Sequence, residues 1–219
     1  MNRLNCNYTA KPAPGISLIE VLVSLVILSL GVLAVVALQL VAKRNNADAG
    51  QRTIAAQLAY DVIERMRANA NQASLSAYLT GSSPVGRVSR GASEPTNACT
   101  SASPCTLAQT VTHDLWEWEQ TLDGASETVA GSGGVAGSNT GGLVSPTGCI
   151  EQTTDDGGGD GVYTITITWR GSVAIPDSNA GSAACGRAGQ PSNSTQLYGA
   201  SDEFRRSVNF PVYITARRT

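Results

Sequence analysis

Residues 15–28, GISLIEVLVSLVIL, decide the fold, because they open a long apolar run that has no second example in the chain. The run extends from Ile16 to Val41 and contains one charged residue, Glu20. As a helix rising roughly 1.5 Å per residue it is about 39 Å long, longer than the ~30 Å hydrocarbon core of a bilayer. The sequence therefore predicts one transmembrane helix at residues 16–41.

The composition of the chain excludes several classes of function. Its 219 residues include 15 Lys+Arg and 17 Asp+Glu, and a net charge of −2 excludes a nucleic-acid binder that works through bulk basic charge. The single histidine, His113, cannot make a multi-His metal site. No Walker A loop, Rossmann fingerprint or GxSxG elbow occurs. We expect no enzyme, no cofactor, no resident metal ion and no small-molecule substrate.

Residues 1–15, which precede the apolar run, differ from a conventional secretory signal. They carry two basic residues and no acidic residue. A conventional signal places its small-residue cleavage site after the apolar stretch. Here the small residue, Gly15, stands before that stretch. We therefore interpret residues 1–15 as a leader peptide that is removed on the N-terminal side of the helix.

The combination of a basic leader, Gly15, an apolar Ile16 and Glu20 resembles the signal of type IV prepilins. The resemblance implies that a prepilin peptidase cleaves after Gly15 and methylates the new amino group of Ile16. It also implies that Glu20 pairs with the N-terminal amine of a neighbouring subunit, an attraction that offsets the cost of a carboxylate in the membrane. The alternative is that Glu20 lies near a helix end and reaches the membrane interface.

Residues 42–71 are predicted to continue the helix as an amphipathic stem. An apolar stripe is formed by residues that recur every four positions: Ile54, Leu58, Val62 and Met66. Asp61 and Arg65 have the spacing of a favourable i,i+4 ion pair. Residues 59–69 and 114–119 resemble the corresponding segments of PilV-type minor pilins.

Residues 72–219 form the predicted head, which begins with a loop at 72–104. A helix is predicted at about 106–123, because Thr106 and Gln109 have the spacing of a capping box. Its apolar stripe consists of Leu107, Val111, Leu115, Trp118 and Leu122. We expect its two tryptophans to pack in the core or at its edge, and we expect its histidine to lie at the surface. A flexible glycine-rich loop is predicted at 124–148.

The last part of the chain is predicted to be β-structure. Residues 162–169 alternate strictly between apolar residues and a second face of valine and threonines. A shorter strand is predicted at 149–153, and a turn at 155–161 joins the two as a hairpin. The final strand, 207–215, contains Pro211, which cannot donate to a ladder and therefore indicates an edge strand or a bulge.

The cysteines indicate the compartment. Cys6 leaves with the leader, and four cysteines remain: Cys99, Cys105, Cys149 and Cys185. Four cysteines allow three pairings, and we favour 99–105 with 149–185 because each pair closes a local loop. Disulfides indicate an oxidising compartment such as the periplasm; the basic residues on either side of the span do not decide its orientation. The spacing does not match the paired CxxC motifs of a zinc site, which is the rival interpretation.

Three carboxylates in the predicted turn, Asp155, Asp156 and Asp160, could hold Ca²⁺. A tuned calcium loop has more ligands at set spacings and often a bidentate glutamate. We therefore favour a solvated hairpin turn over a calcium site.

The resemblance to PilV-type minor pilins implies an α+β, type IV pilin-like fold. A long N-terminal transmembrane and stem helix would pack on a small antiparallel sheet, with an additional helix and disulfide-closed loops. The implied function is that of a minor pilin of the bacterial inner membrane, with a periplasmic head. It would join other minor and major pilins, and a tip adhesin, in the priming complex of a type IV pilus used for twitching motility and adhesion. A minor pseudopilin of a type II secretion system and a membrane-anchored periplasmic binding protein are the alternatives.

Overall fold

The computed structural model describes residues 15, 17–81, 84–86, 93–95, 99–100, 103–125, 127–131, 138–139, 141–175, 185–187 and 197–218. The chain divides into two units, residues 1–45 and 46–219. The elements, in chain order, are helices α1 (Leu18–Ala68), α2 (Gln72–Tyr78) and α3 (Leu107–Leu122), then strands β1 (Thr128–Val129), β2 (Ser138–Asn139), β3 (Thr147–Gly157), β4 (Asp160–Arg170) and β5 (Arg205–Ile214).

In the described part of the first unit, residues 18–45 form the N-terminal part of α1, and every side chain is exposed. Its large apolar side chains are between 47 % (Val21 and Val36) and 78 % (Leu18) exposed. By length and composition, α1 could cross a membrane. Soluble monomers rarely expose so large a continuous apolar surface, so this surface requires lipid or protein to cover it.

In the second unit, α1 buries one face in the hydrophobic core of the head. The buried residues of this helix are Ala55, Ala59, Val62, Ile63 and Met66. The predicted stripe was therefore partly wrong, since Ile54 is 37 % exposed. Two alanines at the centre of the face bring the backbone of α1 close to α3, where Trp118 Nε1 donates to the carbonyl oxygen of Leu58 at 2.9 Å.

The prediction of a loop throughout residues 72–104 was wrong at its start, because α2 lies there. The side chain of Asn71 caps this helix by accepting from the Ser74 backbone N–H at 2.9 Å. Leu75 and Tyr78, three residues apart, are both fully buried. A helix of this length is too short to be stable alone, so its cap and its tertiary contacts determine that it forms.

The helix predicted at about 106–123 is confirmed as α3. Thr106 is its N-cap, and both bonds of the capping box with Gln109 are present. The predicted stripe is buried except for Leu107, which is the first helical residue and is 53 % exposed. Trp118 lies against β3 at Gly148, where a Cβ would be 2.5 Å from the indole ring. A glycine at this position therefore permits the close packing of α3 on the sheet.

Strands β3, β4 and β5 form an antiparallel sheet in that order. The hairpin between β3 and β4 is tighter than predicted, because Gly157 already pairs with Asp160. The connecting residues, Gly158 and Gly159, both have positive φ, at 67° and 92°. Positive φ at both central positions matches the twist of a two-residue hairpin, so the flanking aspartates belong to the strands.

The predicted alternation of β4 is confirmed on one face, where Tyr163, Ile165, Ile167 and Trp169 are buried. On the other face Thr166 and Thr168 are buried as well. Tyr198 covers this end of the second face, since its hydroxyl lies 3.2 Å from Thr168 Oγ1 and donates to the carbonyl oxygen of Ser145 at 2.8 Å. The Thr168 hydroxyl has partners there, since it also donates to the carbonyl oxygen of Thr147 at 3.3 Å, whereas the Thr166 hydroxyl has none among the described residues.

The last strand, β5, lies at the edge of the three-stranded sheet, as predicted. Pro211 is paired opposite Thr164, and the register continues through it without a shift. One face of the strand contributes Val208, Phe210, Val212 and Ile214 to the core. The phenylalanine ring lies 5.5 Å from that of Tyr60 on α1, measured between centroids, so the helix and the sheet share one core.

The predicted glycine-rich loop at 124–148 contains the short antiparallel pair of β1 and β2. The last residues of this region are anchored to α3, because the Leu143 N–H donates to the carbonyl oxygen of Leu122 at 3.0 Å. Leu143 is 5 % exposed. The prediction of a flexible surface loop was therefore wrong for this end of the region.

Candidate assembly site

The candidate assembly site lies where α1 begins. The carbonyl oxygen of Ser17 accepts from the N–H groups of Glu20 at 3.0 Å and Val21 at 3.3 Å, which closes the first turn. Gly15 is exposed two residues before that turn. Ile16, the predicted first mature residue and methylation site, lies outside the described residues, as do residues 1–14.

Glu20 lies in the first turn of α1 and is exposed. Among the residues that the structure describes, no cation lies within ion-pair distance of its carboxylate. The N-terminal end of a helix carries a partial positive charge, which favours an acidic side chain there. A carboxylate on an apolar helix is nevertheless costly in lipid unless it meets a cation. The site therefore offers one negative group to an external positive charge.

Two of the three serines of the apolar run, Ser24 and Ser29, bond to the preceding turn of the helix. Ser24 Oγ donates to the carbonyl oxygen of Glu20 at 2.6 Å, and Ser29 Oγ donates to that of Val26 at 2.8 Å. Hydroxyl groups that bond to the preceding turn are compatible with an apolar environment. The carboxylate of Glu20 is therefore the one charged group of residues 16–41.

The two disulfides have the pairing that the loop argument favoured. Cys99 is bonded to Cys105 with Cα atoms 5.2 Å apart, and Cys149 is bonded to Cys185 with Cα atoms 5.9 Å apart. The second bond attaches β3 to the segment that precedes β5. Arg205 holds this segment, since its Nη2 donates to the carbonyl oxygen of Cys185 at 2.6 Å.

A polar cluster, here named the helix joint, connects α1, α2 and α3. Only its pair of Asp61 with Arg65 was predicted from the sequence. The joint consists of Asp61, Arg65, Tyr78, Asp114 and Glu117. Arg65 contacts its predicted partner at 3.0 Å on α1 and also Glu117 Oε2 at 2.6 Å on α3. The Tyr78 hydroxyl of α2 donates to Asp114 of α3.

The protonation states in the helix joint support these contacts at neutral pH. Burial opposes the charge of Arg65, but the hydrogen bonds with Glu117 and Asp61 outweigh it and raise the pKa of the guanidinium. The bond to Arg65 lowers the pKa of Glu117. Burial, together with the hydrogen bond to Asp114, raises the pKa of Tyr78. The ion pair therefore stays charged and the phenol stays neutral.

His113 is half-buried, with 22 % of its side chain exposed. Its Nε2 lies 3.2 Å from Glu94 Oε1, and its ring lies 5.8 Å from that of Trp116. The neighbouring Asp114 belongs to the helix joint and bonds to Tyr78. The two adjacent residues therefore serve different contacts and do not pair with each other. The buried Trp118 packs in the core, as predicted.

The three aspartates near the hairpin turn each bind a group of the protein itself. Asp155 Oδ1 accepts from the Gly157 N–H at 2.9 Å. Asp156 Oδ2 accepts from the Tyr213 hydroxyl at 3.0 Å, and Asp160 Oδ1 accepts from the Ala216 N–H at 2.6 Å. In the described part of the chain, no group of three or more His, Cys, Asp or Glu is placed to hold a metal ion. This geometry favours a structural turn.

Comparison with known protein families gives two adjacent matches. Residues 12–36 match the prokaryotic N-terminal methylation motif, and residues 37–116 match the family described as type IV pilin Tt1218. No curated protein and no solved structure matches the chain. The methylation motif implies processing by a prepilin peptidase and association with other pilins. The fold is a type IV pilin-like α+β fold, and the two matches support a type IV pilin subunit.

Proposed function

We propose that the protein is a PilV-type minor pilin that acts in the priming or tip complex from which a type IV pilus is assembled. The observation that carries this proposal is the methylation motif at residues 12–36 followed directly by the pilin match at 37–116. The protein is then a structural subunit without a reaction of its own. The leader comprises residues 1–15, the membrane helix 16–41, the stem 42–71 and the periplasmic head 72–219.

The start of α1 supports a role in assembly. Its apolar side chains are exposed on every side, and Glu20 has no cation within reach in the described residues. Cleavage after Gly15 creates an N-terminal amine, and the amine of one subunit would meet the carboxylate of its neighbour. Opposite charges attract strongly where water is excluded, so this pair would set the register between subunits.

The proposed processing is tested by the intact mass of the protein from native membranes, together with sequencing of its N-terminal peptide. We expect a chain that begins at N-methylated Ile16. A chain that begins at Met1, or one cut after Val41, would contradict the assembly proposal. Such a result would support a membrane-anchored periplasmic binding protein instead.

The role of Glu20 is tested by the exchange Glu20→Ala, with Gln39→Ala as a control at the other end of the apolar run. We expect Glu20→Ala to abolish recovery of the protein in sheared pili, while its amount in the membrane stays normal. The control should be recovered like the wild type. Normal incorporation of Glu20→Ala would refute the proposed pairing with the neighbour's amine.

A minor pseudopilin of a type II secretion system is the second candidate, because it shares the same N-terminal signal. The four mature cysteines and the segments that resemble PilV, at 59–69 and 114–119, favour the pilus. Deletion of the gene should strongly reduce surface pili and leave protein secretion intact. The reverse result, lost secretion with normal pili, would establish the pseudopilin.

A further inference from the structure

A pocket of about 360 Å³ lies in the second unit between α1 and the sheet. Helix α1 contributes Asp48 and Arg52 to its lining, while β4 and β5 contribute Trp169 and Arg206. Ile175, which follows β4, provides an apolar wall. A volume of this size is within the range of small ligand sites, roughly 300–1,000 Å³. None of these residues takes part in the proposed assembly contact.

The pocket has two guanidinium groups and one carboxylate, and the carboxylate is already engaged. Asp48 is four residues before Arg52, the spacing of a helical ion pair. Its Oδ1 instead accepts from the Ser172 hydroxyl at 3.0 Å and the Ser172 N–H at 3.4 Å. Arg206 donates to the backbone carbonyl oxygens of Arg205 and Val173. Within the described ranges, neither arginine has a carboxylate partner.

The indole ring of Trp169 also lines the pocket. This side chain is 3 % exposed, and its Nε1–H has no hydrogen-bond partner among the described residues. Buried N–H groups are normally bonded, and an unbonded one calls for an explanation. The N–H signal of this ring therefore responds to changes in its surroundings within the pocket.

The position of the Arg206 guanidinium depends on a glycine. A Cβ on Gly171 would lie 2.7 Å from Arg206 Cζ. The absence of that carbon gives the guanidinium room beside the end of β4. The arginine is therefore held by close packing on one side and by the backbone carbonyl oxygen of Val173, which fixes one of the two charges of the pocket.

We propose that this pocket binds a carboxylate carried on a short aliphatic stem. Guanidinium groups match the two oxygens of a carboxylate, and charge-assisted bonds of this type are the strong ones. Two arginines and one aspartate leave a local charge that suits a monoanion better than a doubly charged phosphate. The indole and Ile175 line the space for the stem. The carboxylate belongs either to an acidic side chain of a partner protein or to a free organic acid, and this site is independent of the proposed pilus function.

The test follows the indole N–H signals of the ¹⁵N-labelled full chain in detergent micelles, with the Trp169 signal identified by Trp169→Phe. The probes are a blocked Gly-Glu-Gly peptide, the matching Gly-Gln-Gly peptide, free butyrate and inorganic phosphate. We expect a saturable shift of the Trp169 signal with the glutamyl peptide and none with the glutaminyl peptide. Stronger binding of the peptide than of butyrate assigns the site to a partner's side chain, and the reverse order assigns it to a free acid.

The arginines are tested in the same titration. Arg52→Gln and Arg206→Gln should each weaken binding about tenfold, because each removes one charge-assisted bond. Arg67→Gln, which removes an arginine paired with Glu64 elsewhere on α1, should bind like the wild type. Arg52 is exposed, so its exchange tests the pocket even if Arg206→Gln impairs folding, which the other indole signals reveal. An absent shift, equal binding of phosphate, or unchanged affinity in Arg52→Gln would overturn the proposal.

Discussion

The two parts of α1 share one secondary structure but face different surroundings. From Leu18 to Asn45 every side chain is exposed, and as far as Val41 the sequence is almost uniformly apolar. From Ala55 to Met66 the helix is amphipathic, and the residues of a single stripe are buried. The periodicity of apolar residues therefore indicates which sides of a helix are covered. A helix that is apolar on all sides needs lipid or other chains around it, whereas a helix with one apolar stripe needs only one surface to pack against.

The distinction between the two parts of α1 predicts that only the amphipathic part contributes to the stability of the head. Val62 is fully buried and Val32 is 55 % exposed. We expect Val62→Asp to lower the free energy of unfolding of the head by about 5 kcal/mol or more, because it buries an unpaired carboxylate. Val32→Asp should change that free energy by less than about 0.5 kcal/mol. Urea unfolding of the full chain in micelles, followed by tryptophan fluorescence, measures both; equal losses would contradict the division.

A second test weakens the head, on which the buried stripe of α1 packs, by removing each of its two disulfide bonds in turn. Removal of Cys149–Cys185, which closes a sequence separation of 36 residues, should cost about 4 kcal/mol. Removal of Cys99–Cys105, with a separation of 6, should cost about 2 kcal/mol on the same loop-entropy argument. Paired Cys→Ser variants in the same urea experiment compare the two. An equal cost would show that strain or packing, and not loop length, determines the effect.

The smallest effect is expected at the helix joint. Tyr78→Phe removes the hydroxyl that bonds to Asp114 and Asn69, which should cost about 1 kcal/mol. The pKa of Tyr78 is raised in the folded protein, so its contribution is complete below the unfolded pKa of 10.0 and is lost as the pH rises above it. Between pH 8 and 11, the free energy of unfolding should therefore fall less steeply with pH for Tyr78→Phe than for the wild type.

The control for this measurement is Tyr60→Phe, since the side chain of Tyr60 is 58 % exposed. We expect this variant to keep both the stability and the pH dependence of the wild type. A wild-type slope in Tyr78→Phe would show that the buried phenol does not determine the alkaline loss of stability.

Local features of the fold were predictable from the sequence. The apolar run, the capping box of Thr106 and the ion pair of Asp61 with Arg65 each depend on residues that lie close together in the chain. The edge position of β5 followed from Pro211, because proline lacks the donor that a central strand needs. These features are present in the structure because each is determined by residues that are neighbours in the sequence.

Features that depend on distant residues were missed. Thr168 is buried because Tyr198 covers it, and α2 forms because Leu75 and Tyr78 find space in the core. The contacts of the helix joint between α1 and α3 required the fold to bring Arg65 to Glu117. The pocket arginines were missed for the same reason, since no motif connects residue 52 with residue 206.

Pro211 affects how the outer edge of β5 behaves when protein chains are crowded together. Proteins confined to a membrane reach local concentrations at which complete outer strands add to one another edge to edge. The β4–β5 register continues through Pro211 without a shift, so the missing N–H falls on the outer edge of β5 and interrupts any strand added there. Pairing of a second strand along β5 is therefore disfavoured, and a contact at this edge has to be made by side chains, which can separate without unfolding the chain.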